Sequence, residues 1–190
     1  IEDGSFSSCH KLKSFNISEN SELRFLGNEV FSYSLIDNLY IPQKFEQFGE
    51  IWCYGTNNLA TFSISPLNLN FLNYDNKFIL GKTEKKSDKF DVIVFACRKI
   101  KKPIIPSHIR SIGPCSFISS CIQEIMIPSY VREIGQSAFA NCFNMKVVEF
   151  EENSELELID QMAFFEAVIK KIVIPQRIKK IGNSAFGYCN

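Results

Sequence analysis

Hydrophobic positions recur along this chain in two alternating rhythms. The first is a short run of the form LxxFxI: Leu12, Phe15, Ile17; Ile36, Leu39, Ile41; Leu59, Phe62, Ile64; Ile122, Ile125, Ile127; Met145, Val148, Phe150; and Ile169, Ile172, Ile174. Its closing alternation predicts a β-strand whose last two apolar residues point inward while the residues between them face out. The second rhythm reads IGQSAFANC from Ile134 to Cys142, IGNSAFGYC from Ile181 to Cys189 and IEDGSFSSC from Ile1 to Cys9. Looser copies begin at Leu26, Phe48, Ile112 and Ile159. Successive starts lie 25, 22, 64, 22, 25 and 22 residues apart, so the interval of 64 must hold a further unit and an insertion. A fixed period in this range marks a solenoid, in which stacked units bury one continuous core.

Each column of the repeat has a physical reading. The sixth position is Phe in six of seven copies, namely Phe6, Phe31, Phe117, Phe139, Phe164 and Phe186, with Cys53 as the exception. One ring per coil predicts an aromatic spine. The preceding residue is usually small, as at Ser5, Ser116, Ala138, Ala163 and Ala185. Three residues beyond the ring stand Cys9, Ser34, Thr56, Ser120, Cys142, Ala167 and Cys189, so cysteine is interchangeable here with other small residues and reads as buried packing. The second position is Gly at Gly27, Gly49, Gly113, Gly135 and Gly182, which predicts a turn of positive φ. In shorter units a proline closes the strand (Pro42, Pro106, Pro128, Pro175); longer ones continue into Asn20-Ser21 or Asn153-Ser154.

From about Asn73 to Phe95 the repeat stops. Two β-prone runs, KFILG from Lys77 and FDVIVF from Phe90, flank the polar stretch KTEKKSDK. They predict a β-hairpin with a charged loop, serving either as a tolerated insertion or as a docking or spacing element. The repeat resumes degenerately near Ile100, with Pro103 where an apolar strand residue is expected. The organisation expected is three repeat units over residues 1–72, an inserted hairpin over 73–98, and further units over 99–190 of a single solenoid domain.

Composition narrows the function. The 190 residues carry 21 Lys and Arg against 21 Asp and Glu, which argues against a general binder of nucleic-acid backbones. A hydrophobic fraction of 45%, with 18 Phe, supports an ordered core. No apolar stretch approaches the ~18 residues of a membrane-spanning helix. There is no initiator Met or signal peptide, and the chain starts and stops inside the repeat, so it reads as a segment of a longer array. Neither His10 nor His108 lies in a metal, nucleophile or phosphate motif, and no cofactor site or enzyme constellation is visible. Arg98, Lys99, Lys101 and Lys102 form the basic cluster best suited to a nucleic acid or anionic glycan, but it lacks interleaved aromatics and nearby acids offset it. Asn16-Ile17-Ser18 is a glycosylation sequon whose Asn16 faces outward from its strand.

Units of the form IPxxVxxIGxxAFxxC, seen from Ile127 to Cys142, resemble the BspA-like leucine-rich repeats, and the resemblance covers nearly the whole chain. It implies a right-handed solenoid with a parallel β-sheet on one face and short helical or 3₁₀ turns and loops on the other. It also implies a non-enzymatic protein-interaction module. Proteins of this kind are similar to surface adhesins of certain bacteria and protozoan parasites, so the expected site is the cell surface or the exterior. The expected partner is a host-cell or matrix protein, with membrane association only through segments outside this chain. The alternative is a cytoplasmic scaffold that organises other proteins.

On such a fold the partner surface is built from outward strand positions. One column runs Asn16, Tyr40, Ser63, Met126, Glu149, Val173, and the column two residues earlier runs Ser14, Asn38, Thr61, Glu124, Val147, Lys171. Tyr40, Met126, Val147 and Val173 place apolar groups where water is expected, and with Glu124, Glu149 and Lys171 they form the candidate contact patch.

Overall fold

The structure is a computed structural model that describes residues 1–189. The apolar runs coil about an axis and build two sets of parallel ladders, although the runs expected as strands at Leu12–Ile17 and Ile169–Ile174 form none, the second making only a bridge at Lys171. The LxxFxI strands form the first: β2 (Asn38–Ile41) pairs with β4 (Thr61–Ile64), and β9 (Glu124–Ile127) with β11 (Val147–Phe150). Two-residue strands just before the glycine column form the second. They are β1 (Phe25–Leu26) and β3 (Gln47–Phe48), then β8 (Ser111–Ile112), β10 (Glu133–Ile134), β12 (Leu158–Ile159) and β13 (Lys180–Ile181). The single sheet face expected from the sequence is thus joined by a second narrow one.

The helical turns expected on the far side are replaced by a different device. No helix occurs among the described residues. In every regular coil, though not around Ala96 in the insertion, the residues two before and two after the ring position adopt positive φ: Ser137 (53°) and Asn141 (57°) around Phe139, Met162 (54°) and Glu166 (56°) around Phe164. Their N–H groups, with that of the ring residue, point along the solenoid axis rather than back into their own turn. Ser137, Phe139 and Asn141 donate to the carbonyls of Gln161, Ala163 and Phe165 at 3.0, 2.7 and 2.8 Å. A helical turn would satisfy these amides within the coil; this turn passes them to the next coil. Each non-glycine residue so held costs about 1–2 kcal/mol, offset by the buried ladder it completes.

The glycine column does not carry that positive φ, contrary to the sequence expectation; only Gly4 (62°) and Gly55 (68°) do. The column serves close approach. A Cβ on Gly49 would lie 2.4 Å from the backbone of Gly27, and one on Gly182 would lie 2.4 Å from the Gln161 nitrogen. Successive coils touch backbone to backbone here, so a methyl group would force them apart.

The rings do stack. Phe117–Phe139, Phe139–Phe164 and Phe164–Phe186 lie 4.8, 5.1 and 5.2 Å apart between centroids, tilted by 23°, 8° and 3°. Phe6 and Phe31 stack likewise at 5.6 Å. The small column beside them ties back to the spine: the Cys142 thiol donates to the Phe117 carbonyl at 3.2 Å and the Cys189 thiol to Phe164 at 3.1 Å. A short side chain with a weak donor fits, which is why Cys, Ser and Thr interchange.

The insertion interrupts the spine and repairs it. Strands β6 (Phe78–Gly81) and β7 (Val92–Ala96) form the expected antiparallel hairpin, and β5 (Leu72–Tyr74), which periodicity did not reveal, adds a third strand. β7 then pairs in parallel with β8, so the hairpin completes the missing coil and joins a seven-stranded sheet. Ala96 donates to the Ser116 carbonyl at 2.9 Å and thereby stands where a ring belongs. Its cross-strand partner Phe78, fully buried, supplies the ring and meets Phe117 at 6.1 Å. Beside it Arg98, 1% exposed, donates to the Ser116 carbonyl at 2.9 Å and to the Cys53 sulfur at 3.0 Å, with its guanidinium 4.5 Å from the Phe95 ring centroid. Arg98 therefore leaves the basic cluster read from the sequence; among the four, only Lys99, Lys101 and Lys102 reach the surface.

Two stability measurements follow. Phe139→Ala should lower unfolding free energy by ~3–5 kcal/mol, whereas Lys85→Ala in the exposed hairpin loop should change it by less than ~0.5 kcal/mol; equal melting temperatures would refute an internal ring column. Burial pushes the Cys142 thiol up to about 11, opposed by its contact with Ser120, against 9.0 for an exposed thiol. A raised pKa favours the folded state fully below about pH 9 and loses that contribution as pH rises through about 11. Cys142→Ala should flatten the stability decline in this window by up to ~1.4 kcal/mol per pH unit, measured by denaturant titration.

Candidate functional site

Alternation along β9 and β11 fixes which side chains are offered to solvent. Ile125, Ile127 and Val148 turn inward and are buried, so Glu124, Met126, Val147 and Glu149 turn outward. Parallel register then sets Glu124 beside Val147 and Met126 beside Glu149. Isolated bridges carry the rows one coil further on either side, joining Ile104 to Met126 and Lys171 to Val147. The result is a staggered set of exposed apolar groups across four coils, Val147 in one row and the others in the next: Ile104 (86% exposed), Met126 (44%), Val147 (37%) and Val173 (71%).

The coils do not pack evenly along this face. β9 and β11 pair over four residues, but the coil after β11 touches it only at the Val147–Lys171 bridge and then diverges. The unit containing β11 is one of the longer ones, with Glu151 to Ser154 following the strand. Between β11 and residues 170–177 opens a groove of about 1000 Å³. Val148, Phe150 and Ile172 line its floor, and Lys146, Lys171 and Arg177 stand around it without a carboxylate within ion-pair distance among the described residues.

Five of the seven residues read from the sequence line this groove: Met126, Val147, Glu149, Lys171 and Val173. Glu124 stands next to it, in register with Val147 and paired with Lys102 at 2.8 Å. Tyr40 does not join them. It lies half-buried on β2, opposite Ser63, in a separate two-stranded ladder. Sequence reasoning missed Ile104, although Ile105-Pro106 marks a strand end and alternation from Ile105 puts its neighbour outward. It also missed the groove, because divergence of two coils is a property of their packing.

The His10 ring lies 3.1 Å from the Tyr33 carbonyl, and His108 lies 5.9 Å from Tyr74, so the two imidazoles are engaged in different places. No group of three metal-ligating side chains occurs among the described residues, nor does a helix long and apolar enough to cross a membrane. Cross-coil ion pairs such as Arg24–Glu46 and Arg132–Glu155, both 2.9 Å, are exposed and add little energy.

Comparison with known proteins places this geometry. The profile of the BspA type Leucine rich repeat region matches in six copies over residues 1–77 and 89–190, leaving out β6 and most of the charged loop. No curated protein matches the sequence. Among solved structures, the pneumococcal vaccine antigen PcpA superposes with a TM-score of 0.83 at 20% identity, covering 96% of this chain and 44% of that one. A leucine rich cell surface protein from Faecalibacterium prausnitzii A2-165 gives 0.71 at 21% identity, covering 98% and 48%. A leucine-rich repeat protein from Eubacterium ventriosum ATCC 27560 gives 0.60 at 17%, covering 98% and 67%. The chain thus spans less than half the length of the first two, and at these identities the likeness concerns the fold. With the repeat profile matched across both sides of the insertion, and the coils and rings arranged as that repeat requires, the chain belongs to the BspA-type leucine-rich-repeat family.

Proposed function

We propose that this chain is a non-enzymatic protein-binding module of an adhesin-like surface protein, and that the groove beside β11 is its contact site for a host-cell or matrix protein. The observation that carries the reading is the exposed apolar set of Met126, Val147 and Val173, with Ile104 one coil away, lining a groove of about 1000 Å³. An apolar centre rimmed by charges is the anatomy of a protein interface, whose affinity resides in a few well-buried anchors. That two structures of the same fold are named as a vaccine antigen and a cell surface protein supports the surface location.

A second reading, a cytoplasmic scaffold using the same groove, is favoured by one observation. All seven cysteines are free thiols, which suits a reducing compartment. Labelling of intact cells with a membrane-impermeant reagent separates the two: labelled protein supports the adhesin reading, and protein labelled only after lysis supports the scaffold.

For the site itself, adhesion of the purified chain to immobilised matrix proteins and to cultured host cells should saturate. Val147→Glu combined with Lys171→Glu should weaken it about tenfold or more, because a charge placed at an interface centre loses its water without gaining a partner. Tyr40→Ala should leave adhesion unchanged. Undiminished adhesion by the double variant would reject the groove as the contact site.

A further inference from the structure

The insertion makes a second cleft, on a different part of the surface from β11. Where the hairpin lies against the strand ends of the solenoid body, two cavities adjoin, of about 560 and 520 Å³, within the range of small-ligand sites. They share Lys89, Asp91 and Arg110, which form the boundary between them. Backbone pairing holds the boundary in place: the Asp91 carbonyl accepts the Arg110 N–H at 2.8 Å, and its carboxylate accepts the Thr83 N–H at 2.9 Å.

The two lobes differ in character. One is mainly apolar and ringed, with Phe90, Tyr130 and His108 around Leu72. Tyr130 is 51% exposed, and the Arg110 guanidinium stands 5.7 Å from its ring centroid. The other lobe alternates hydroxyls with carboxylates: Thr83, Ser87 and Ser111 beside Glu84 and Glu133. Arg110 and Lys89 have no carboxylate within ion-pair distance among the described residues, whereas Arg132 is already paired with Glu155 at 2.9 Å.

We propose that this cleft binds a saccharide carrying a carboxylate. The acid is seated at the boundary on Arg110 and Lys89, a sugar ring packs its C–H face on Tyr130 in the apolar lobe, and further hydroxyls occupy the polar lobe. A planar guanidinium meets a carboxylate with two parallel N–H donors, and an ammonium adds a point charge. Aromatic faces suit the C–H side of a pyranose, while a row of hydroxyls and carboxylates offers a polyol both donors and acceptors. The same three carboxylates, Glu84, Asp91 and Glu133, would repel a polyanion or an acidic peptide. The chemistry therefore favours one acid per few rings over a phosphorylated or sulfated chain. This site stands independently of the groove beside β11.

Calorimetric titration of the whole chain with 3′-sialyllactose and with a disaccharide of one glucuronate and one neutral sugar tests the assignment, with lactose as the neutral counterpart and a sulfotyrosine peptide as the competing class. Saturable binding of either acidic saccharide is expected, with lactose about tenfold or more weaker. Arg110→Ala and Tyr130→Ala should each reduce affinity by about the same factor while leaving the melting temperature unchanged, since both side chains are exposed. Val147→Glu should have no effect on saccharide binding. Absence of saturable binding by both acidic saccharides, equal binding of lactose, affinity undiminished by Arg110→Ala, or preference for the sulfotyrosine peptide would each overturn the proposal.

Discussion

Everything in this molecule rests on the contact between one coil and the next. At the ring position a flat aromatic side chain lies on its counterpart, and on either side of it a left-handed residue turns an N–H toward the neighbouring coil's carbonyl. The glycine column brings the same two backbones so close that no Cβ fits between them. These three features reinforce one another. Rings stack at about 5 Å only if the backbones meet, and the backbones meet only if the small and glycine columns permit it. Stability of such an array is the sum of nearest-neighbour interfaces, so each unit depends on its neighbours rather than on a central core.

The insertion shows how strict that requirement is. At the break two adjacent coils lack a ring, with Cys53 in one and Ala96 in the other. Phe78 crosses from the hairpin to fill one gap. Arg98, Phe95 and Trp52 occupy the remaining space, with the two ring centroids 5.5 Å apart. A buried arginine without a carboxylate is costly unless its donors are met. Here a carbonyl, a thiol and an aromatic face meet the guanidinium in part while its Nε is left without a partner, and the guanidinium opposes the upward push that burial gives the Cys53 thiol. The hairpin is a structural member of the solenoid that also projects a charged loop beyond it.

Once the interior is committed to stacking, the exterior is free to vary. Outward strand positions carry no obligation to the core, so Met126, Val147 and Val173 can be apolar and Glu124, Glu149 and Lys171 charged without disturbing the fold. Uneven coil spacing after β11 converts that row of side chains into a concave surface. The hairpin makes a second concavity by laying a foreign strand against regular coils. Both surfaces arise where the repeat departs from its own regularity.

The repeat itself was legible in the sequence. A ring every 22 or 25 residues, flanked by small residues and followed by an alternating LxxFxI run, can bury its apolar face in few ways other than stacking, and that was enough to set the coil, the spine and the outward columns. Other features were settled only by neighbours in space. Conformation at the far turns depends on where each amide finds an acceptor, and the acceptor belongs to another coil; periodicity carries no trace of it. The glycines were assigned to the wrong constraint for the same reason, since a steric limit set by the adjacent backbone looks identical in one dimension to a turn requirement. Arg98 read as surface charge because its sulfur, carbonyl and aromatic partners, including Cys53 forty-five positions away, converge only when the hairpin closes the coil. Periodicity within a coil is local and is written into the chain, whereas spacing between coils is a sum of contacts across it, and so the repeat came from the sequence and both clefts came from the packing.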